Sequence, residues 1–347
     1  MDSIKAACLI YGQDMHYVDH LAPLASLLAI PLVTPEEQVQ ECIQKYYPEV
    51  EVIYWDYLEI HTELVKNFDT VIYSFTKSHF QSYFAFAQDF LNKKINPIWC
   101  PHGSSDKDNL AALEQESLLL IYGKKMEDYL EKKRVQKPAF TIGNYRKHYC
   151  ERHQTFYDQL IQKELSHLSP EKPNFLYAPT WQDYEGSSSF DAAFSPLLDH
   201  LPEEINLIVK LHPNMWIQNP FLLEKIFQRY EGLPNFHLIR DFTPIYPLLA
   251  SMDAYIGDMS SIGYDFLSFD RPLFFLSGKK GPLQKCGRML DPACGKELYP
   301  LMEKWRKEDR GFSSLRKKLY KYTFKNSIVT RETLGKQLSF LHEKESA

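Results

Sequence analysis

Two α/β domains, each built on a parallel sheet, are the fold class this sequence predicts. Apolar runs of four to six residues without polar alternation recur along the chain. Such runs suit strands buried on both faces, as in a parallel sheet covered by helices. Between them lie longer stretches of helical periodicity, and strand–helix alternation is the pattern of an α/β sheet. At 347 residues, the chain has room for two domains with separate cores.

In order, the first half offers the strands KAACLIYG, VEVIYWD, FDTVIYSF, NPIWCPHG, LLLIYG and AFTIGN. The second half offers NFLYAPTW, INLIVKLHP, NFHLIRDF, DAYIGD and PLFFLS. QSYFAFAQDFLNKK and NPFLLEKIFQRY read as amphipathic helices, and CERHQTFYDQLIQKELSHL as one helix closing the first domain. The Pro-rich segment HLSPEKPN, around 167–174, places a linker there. The expected division is therefore 1–167, 174–330 and a terminal helix or tail over 331–347. Two such domains imply a cleft, with ligands beyond the carboxyl ends of the strands.

The net charge of −5 gives no reason to expect nucleic acid as a partner. Nine Lys/Arg against Glu308 and Asp309 crowd the stretch Lys304 to Lys325, either a solvated helix face or a surface for an anionic membrane or polymer. Six cysteines form no C-x-x-C pair and read as reduced thiols of a cytosolic protein. The N-terminus lacks the apolar region of a signal peptide, and no stretch nears the ~18–20 apolar residues of a membrane span. The expectation is a cytoplasmic protein with possible peripheral attachment to the inner membrane face.

Polar residues gather where the apolar runs end. They are His102, Gly103, Ser104 and Lys107; Gly143, Asn144 and Arg146; Thr180 and Gln182; Lys210 and His212; and Asp258, Ser260 and Ser261. Each alone has an ordinary structural role. A histidine after a strand is often a hydrogen-bonded core residue, His-Pro can be a turn, and a Ser pair can cap a helix. Capping and anion binding are compatible, however, because a helix start offers free N–H groups and a positive dipole end. Five such junctions together favour a ligand site. Asp258 is expected to shape its turn rather than touch a phosphate.

Other patterns carry less. His16 and His20 in HYVDH fall on one helix face, but a metal needs more ligands. The Asp106–Asp108 pair is short enough to arise by chance. No Walker motif, G-x-G-x-x-G fingerprint or G-x-S-x-G elbow occurs. No metal or cofactor is expected.

The ordered segments HGSSDK, GNYR, LYAPTWQD, LIVKLHP and DFTPIYPLLASMDAYIGDMSSIGYDFLSFDRPLFFL resemble the CDP-glycerol glycerophosphotransferase family of teichoic-acid primases and polymerases. The resemblance covers about 97–277 and is heaviest over 174–277. It implies the GT-B architecture, with the acceptor on the N-terminal domain and a CDP-linked donor on the C-terminal one. It also implies transfer of glycerol phosphate to an acceptor hydroxyl with release of CMP. By motif, His102 stands at the proposed general base and His212 at the donor phosphates. Ser260 and Ser261 stand at the helix that holds the diphosphate. This chain departs from the family at Pro101, Tyr145, Met259 and above all Gln182, where an arginine is usual. That last change removes a fixed positive charge and a bidentate donor. Two alternatives stay open: a GT-B glycosyltransferase or nucleotide-sugar epimerase, and a non-catalytic scaffold that keeps the fold.

Overall fold

The computed structural model describes residues 5–75, 81–104, 113, 116–182, 188–277, 281–326 and 329–337. Lys107, the Asp106–Asp108 pair and the end of the 331–347 tail lie outside the described residues. The chain divides into two compact units. Unit 1 comprises Met1–His102, Lys107–Arg152 and Tyr322–Ala347; unit 2 comprises Gly103–Asp106 and His153–Lys321. The Pro-rich segment at 167–174 falls inside unit 2, between α7 (Gln154–Glu164) and β8 (Asn174–Ala178).

Unit 1 runs β1 (Ala6–Leu9), α1 (Val18–Leu28), β2 (Leu32–Thr34), α2 (Glu37–Tyr46), β3 (Val52–Tyr54), α3 (Ile60–Asn67), β4 (Thr70–Tyr73), α4 (Gln81–Leu91), β5 (Asn96–Trp99), β6 (Leu118–Ile121), α5 (Lys124–Lys132), β7 (Ala139–Thr141) and α6 (Tyr145–Arg152). Its described strands form a seven-stranded sheet in the order β3-β2-β1-β4-β5-β6-β7. Every described pairing is parallel. β1, β4, β5 and β6 are buried along their whole length, which is why they read as unbroken apolar runs. The edge strand β3 is half-exposed, and its pattern is correspondingly mixed.

After α7 and β8, unit 2 continues through α8 (Phe190–Asp199), β9 (Asn206–Lys210), α9 (Pro213–Gln218), α10 (Pro220–Gln228), β10 (Phe236–Ile239), α11 (Ile245–Ala250), β11 (Ala254–Asp258), α12 (Ser261–Phe266), β12 (Leu273–Ser277), β13 (Arg288–Met289), α13 (Leu298–Lys307) and α14 (Ser313–Thr323). The sheet order is β10-β9-β8-β11-β12-β13, again parallel. Phe175, Val209, Ile256 and Phe274 from its strands pack with Phe194, Leu197 and Phe227 of the covering helices.

Three features differ from the sequence reading. β2 was not anticipated, because its three residues lie between Pro31 and Pro35. β13, only two residues long, was not anticipated either. The helix expected from 150 onward is two helices, α6 and α7, broken at His153 where φ is −112° and ψ 26°. No Gly or Pro marks that break.

Candidate functional site

In unit 1 the site residues stand after the carboxyl ends of β1, β5 and β7. The turn after β5 carries His102 and then Gly103, whose φ of +123° lies in a region that favours glycine. Tyr122, just beyond β6, donates its hydroxyl hydrogen to the Pro101 carbonyl at 3.0 Å and so pins that turn. The same hydroxyl is 3.4 Å from Nδ1 of His20. Ser104 is buried.

Among the described residues, three rings stand around His102. The centroids of Tyr17, His16 and His20 are 5.4, 6.0 and 6.4 Å from its own. One side of His102 reaches solvent, yet protein surrounds the rest of the ring. That desolvation lowers its pKa; a hydrogen bond to the Ser74 backbone and the Asp14 carboxylate act upward, and the Arg146 guanidinium acts downward. Burial, followed by the charge of His102, brings His16 down to about 4. His20 is held well below the usual histidine range by burial and then by Arg146, His102 and His16. At neutral pH His16 and His20 are therefore uncharged.

Arg146 is not an open cation. Its Nη1 is 2.8 Å from Oδ2 of Asp19, and both side chains are largely buried. Asp19 also accepts the Tyr47 hydroxyl at 2.8 Å. Asn144 starts α6 by accepting the Lys147 amide at 3.2 Å. Tyr145, one of the departures from the family motif, donates to the His20 carbonyl at 3.0 Å and lies 3.5 Å from Cys100 Sγ. The substitution thus ties α6 to α1 and to the strand end before His102.

Unit 2 has its own set, after β8, β9 and β11. Asp258 is 1% exposed, and its Oδ2 accepts the Thr180 amide at 2.8 Å and the Ser189 amide at 3.2 Å. It ties Thr180, just past β8, to Ser189. Gly257 is required here: a Cβ would lie 2.5 Å from the Ala178 carbonyl and 2.6 Å from the Tyr255 hydroxyl. Tyr255 in turn donates to the Asp258 carbonyl at 3.0 Å.

Ser260 is the N-cap residue of α12, in extended conformation, but its side chain makes no capping hydrogen bond. Its Oγ is instead 3.3 Å from the Tyr255 hydroxyl. The first amides of α12 are thus left uncapped by Ser260. Phe266 is buried and packs on Tyr255 at 5.9 Å, whereas Ile262 and Phe269 are only half-buried.

At the end of β9, Lys210 donates from Nζ to the Phe242 carbonyl at 2.8 Å. His212 caps α9, its Nδ1 accepting the Asn214 amide at 3.2 Å. That bond puts the hydrogen of the neutral ring on Nε2. Trp181 lies 6.1 Å from His212, and Gln182 is exposed.

The structure therefore groups His102 with Arg146, and separately groups Thr180 with Asp258. Sequence reasoning missed the role of His16, Tyr17 and His20 around His102. Their signal was the i, i+4 histidine spacing, which was weighed only as a metal site. Among the described residues, no cluster of three or more His, Cys, Asp or Glu could hold a metal ion. No helix among them is long and apolar enough to cross a membrane.

Two parallel-sheet α/β units of this kind place the chain among GT-B-like proteins. The wall teichoic acid polymerase TagF, in a structure soaked with CDPG, superposes with a TM-score of 0.64 at 12% identity, over 100% of this chain and 91% of that one. UDP-GlcNAc 2-epimerase from Neisseria meningitidis, bound to UDP-GlcNAc, gives 0.60 at 11% identity, over 96% of this chain and 99% of that one. At such identities the likeness is one of fold.

Residues 142–280 match the model of the CDP-Glycerol:Poly(glycerophosphate) glycerophosphotransferase family. The teichoic acid glycerol-phosphate primase of Bacillus subtilis (strain 168) is 33% identical over 106 residues, which are 30% of this chain and 25% of the primase. That of Bacillus spizizenii is 33% identical over 118 residues, 33% of this chain and 27% of the relative. The matched stretch thus spans about a quarter of those relatives' length.

Proposed function

We propose that this protein transfers glycerol phosphate, or a related polyol phosphate, from a CDP-linked donor to an acceptor hydroxyl in the synthesis of a teichoic-acid-like polymer. The observation that carries the reading is the span of the family match. Residues 142–280 take in the strand ends that bear Thr180, Lys210, His212 and Ser260–Ser261.

In this reading His102 is the general base. Its hydrogen bond to the Ser74 backbone fixes the ring, and a lowered pKa keeps it unprotonated at neutral pH. The acceptor oxygen forms a bond to the polyol-bearing phosphorus while its proton passes to His102. The bond from that phosphorus to the bridging oxygen breaks, and the electron pair leaves on that oxygen with CMP. Charge grows on the leaving phosphate, where Nε2–H of His212 and the α12 amides would act as donors. Phosphoryl transfer depends mainly on positioning and charge stabilisation, and the reading routes no step through a metal. Gln182 can offer a neutral amide where the family arginine would offer a fixed charge.

The polar acceptor end is proposed to be lipid-linked, with the basic stretch 304–325 resting on an anionic membrane face at the cytoplasmic side. The test is to incubate the protein with CDP-glycerol, CDP-ribitol and a set of UDP-sugars, following thermal shift and nucleotide release. Stabilisation and CMP release with a CDP-polyol are expected, and His102→Ala should abolish the release while leaving the thermal shift. Stabilisation by UDP-sugars alone would remove the phosphotransferase reading. No stabilisation by any nucleotide would favour a scaffold.

A further inference from the structure

The segment after β1, Gly12 to His20, lies outside the part of the chain that matches the family model, yet it builds one wall around His102. We propose that His16 is an acceptor-binding residue that works beside His102, the two imidazoles together reading a pair of adjacent hydroxyls on a neutral polyol terminus. His102 would take the attacking hydroxyl and His16 its neighbour. For its chemistry this inference rests on the phosphotransferase reading; its geometry does not.

Distance is the first argument. The ring centroids of His16 and His102 are 6.0 Å apart and their planes cross at 71°. A hydrogen bond of about 2.8–2.9 Å from a ring nitrogen puts the partner oxygen roughly 4 Å from the ring centre. Two rings at that spacing can therefore each meet a different oxygen of one diol.

Charge is the second. His16 is neutral near pH 7, and so is His20 behind it. A neutral imidazole offers one donor and one acceptor, which is what a hydroxyl needs. A phosphate monoester would require cations instead, and Arg146 is already paired with Asp19. The Asp14 carboxylate, whose charge acts on both His102 and Tyr17, further disfavours an anion. The phenol of Tyr17 is pushed up to about 12 by burial and then by Asp14, so it too remains a neutral donor and acceptor.

Confinement is the third. Tyr17 stands edge-on to His102 at 5.4 Å and lies 4.1 Å from His16. The rings hold one another, so neither imidazole must be ordered by the ligand at the moment of binding. A site built to hydrogen-bond a hydroxyl rejects the analogue that lacks it, because its polar groups are then left unpaired.

The test needs no donor. Glycerol methyl ether, which carries two adjacent hydroxyls, is titrated into the full-length protein while histidine ring nitrogens are observed by NMR. Its analogue without the middle hydroxyl is titrated in parallel. The ether should shift both His16 and His102, and the analogue should bind about tenfold more weakly. In His16→Phe the two compounds should bind alike, and His16→Asn, which keeps an amide donor and acceptor, should restore part of the difference. Thermal unfolding checks that each variant is folded; if His16→Phe is not, His16→Asn and the wild-type shifts decide. Undiminished discrimination by His16→Phe overturns the proposal, as does a diol that shifts His102 and leaves His16 unmoved, or no binding of either compound. If the diol behaves as expected while no CDP-linked donor yields CMP, the reaction assigned above fails and the diol subsite stands.

Discussion

Nη1 of Arg146 lies 2.8 Å from Oδ2 of Asp19, and this pair joins the start of α6 to the start of α1 beneath the His102 turn. From sequence, Arg146 is one of the polar residues expected to line a ligand site. In the fold its guanidinium is 3% exposed and committed to a partner. Removing one partner leaves a buried charge alone, which costs about 3–5 kcal/mol. Arg146→Met and Asp19→Asn should each show that loss in urea unfolding, and the double variant should recover part of it. A loss below about 1 kcal/mol, the value of an exposed pair, would return Arg146 to the ligand side.

Asp258 makes a second such prediction. Its carboxylate accepts two backbone amides of the loop after β8, from Thr180 and Ser189. Asp258→Ala strands both, at roughly 1–3 kcal/mol for each buried donor left unpaired. The expected result is a fall in unfolding free energy accompanied by weaker nucleotide binding. Weaker binding with unchanged stability would mean that Asp258 meets the ligand directly.

How much of this was legible follows from what a sequence encodes locally. β4, β6, β9 and β11 are continuous apolar runs because both their faces are covered, and the run length gave them directly. The same runs end where the strands end, so the positions of His212 and Ser260 just past β9 and β11 could be read one step further along. β2 was missed because three residues between prolines carry no period. The approach of His16 and His20 to His102 was missed for another reason: it depends on β1 and β5 sharing one sheet with only β4 between them. No local pattern states that order. That Arg146 is ion-paired was not legible, because its partner, Asp19, belongs to a helix distant in sequence.

Acid should unfold this protein early. The unfolded pKa of His16 is near 6.5 and its folded value is about 4, with His20 shifted the same way. Between those values the unfolded chain binds more protons than the native one, so stability falls as pH drops from about 7 toward 4. A shift of that size in His16 corresponds to something on the order of 2–3 kcal/mol across the window. Denaturation midpoints measured from pH 7 to pH 4 should decline steeply, and the decline should flatten in His16→Phe. An unchanged slope in that variant would show that His16 is protonated without penalty in the native state.

The basic stretch makes the last prediction, and the structure divides its cations into two kinds. Arg316 is 1% exposed and bound to Asp270 and Asp309, while Arg306 pairs with Glu303. The Arg316 pairs tie α14 to Asp270 and Asp309, the Arg306 pair lies within α13, and none of these cations is available to a membrane. Lys318 and Lys321 on α14 and Lys325 just past it are exposed, and Leu315 and Tyr322 beside them are 42% and 37% exposed. Cations interleaved with apolar side chains on one helix are what an anionic bilayer surface attracts. Each lysine near such a surface contributes about 1 kcal/mol, so changing all three to Gln should weaken binding to phosphatidylserine vesicles by roughly a hundredfold or more. Neutral vesicles should bind poorly in both cases, and raised salt should abolish the difference. Because the three are exposed, unfolding free energy should move by no more than about 0.5 kcal/mol. Equal vesicle binding by the triple variant and the wild type would leave these lysines as solvated surface groups.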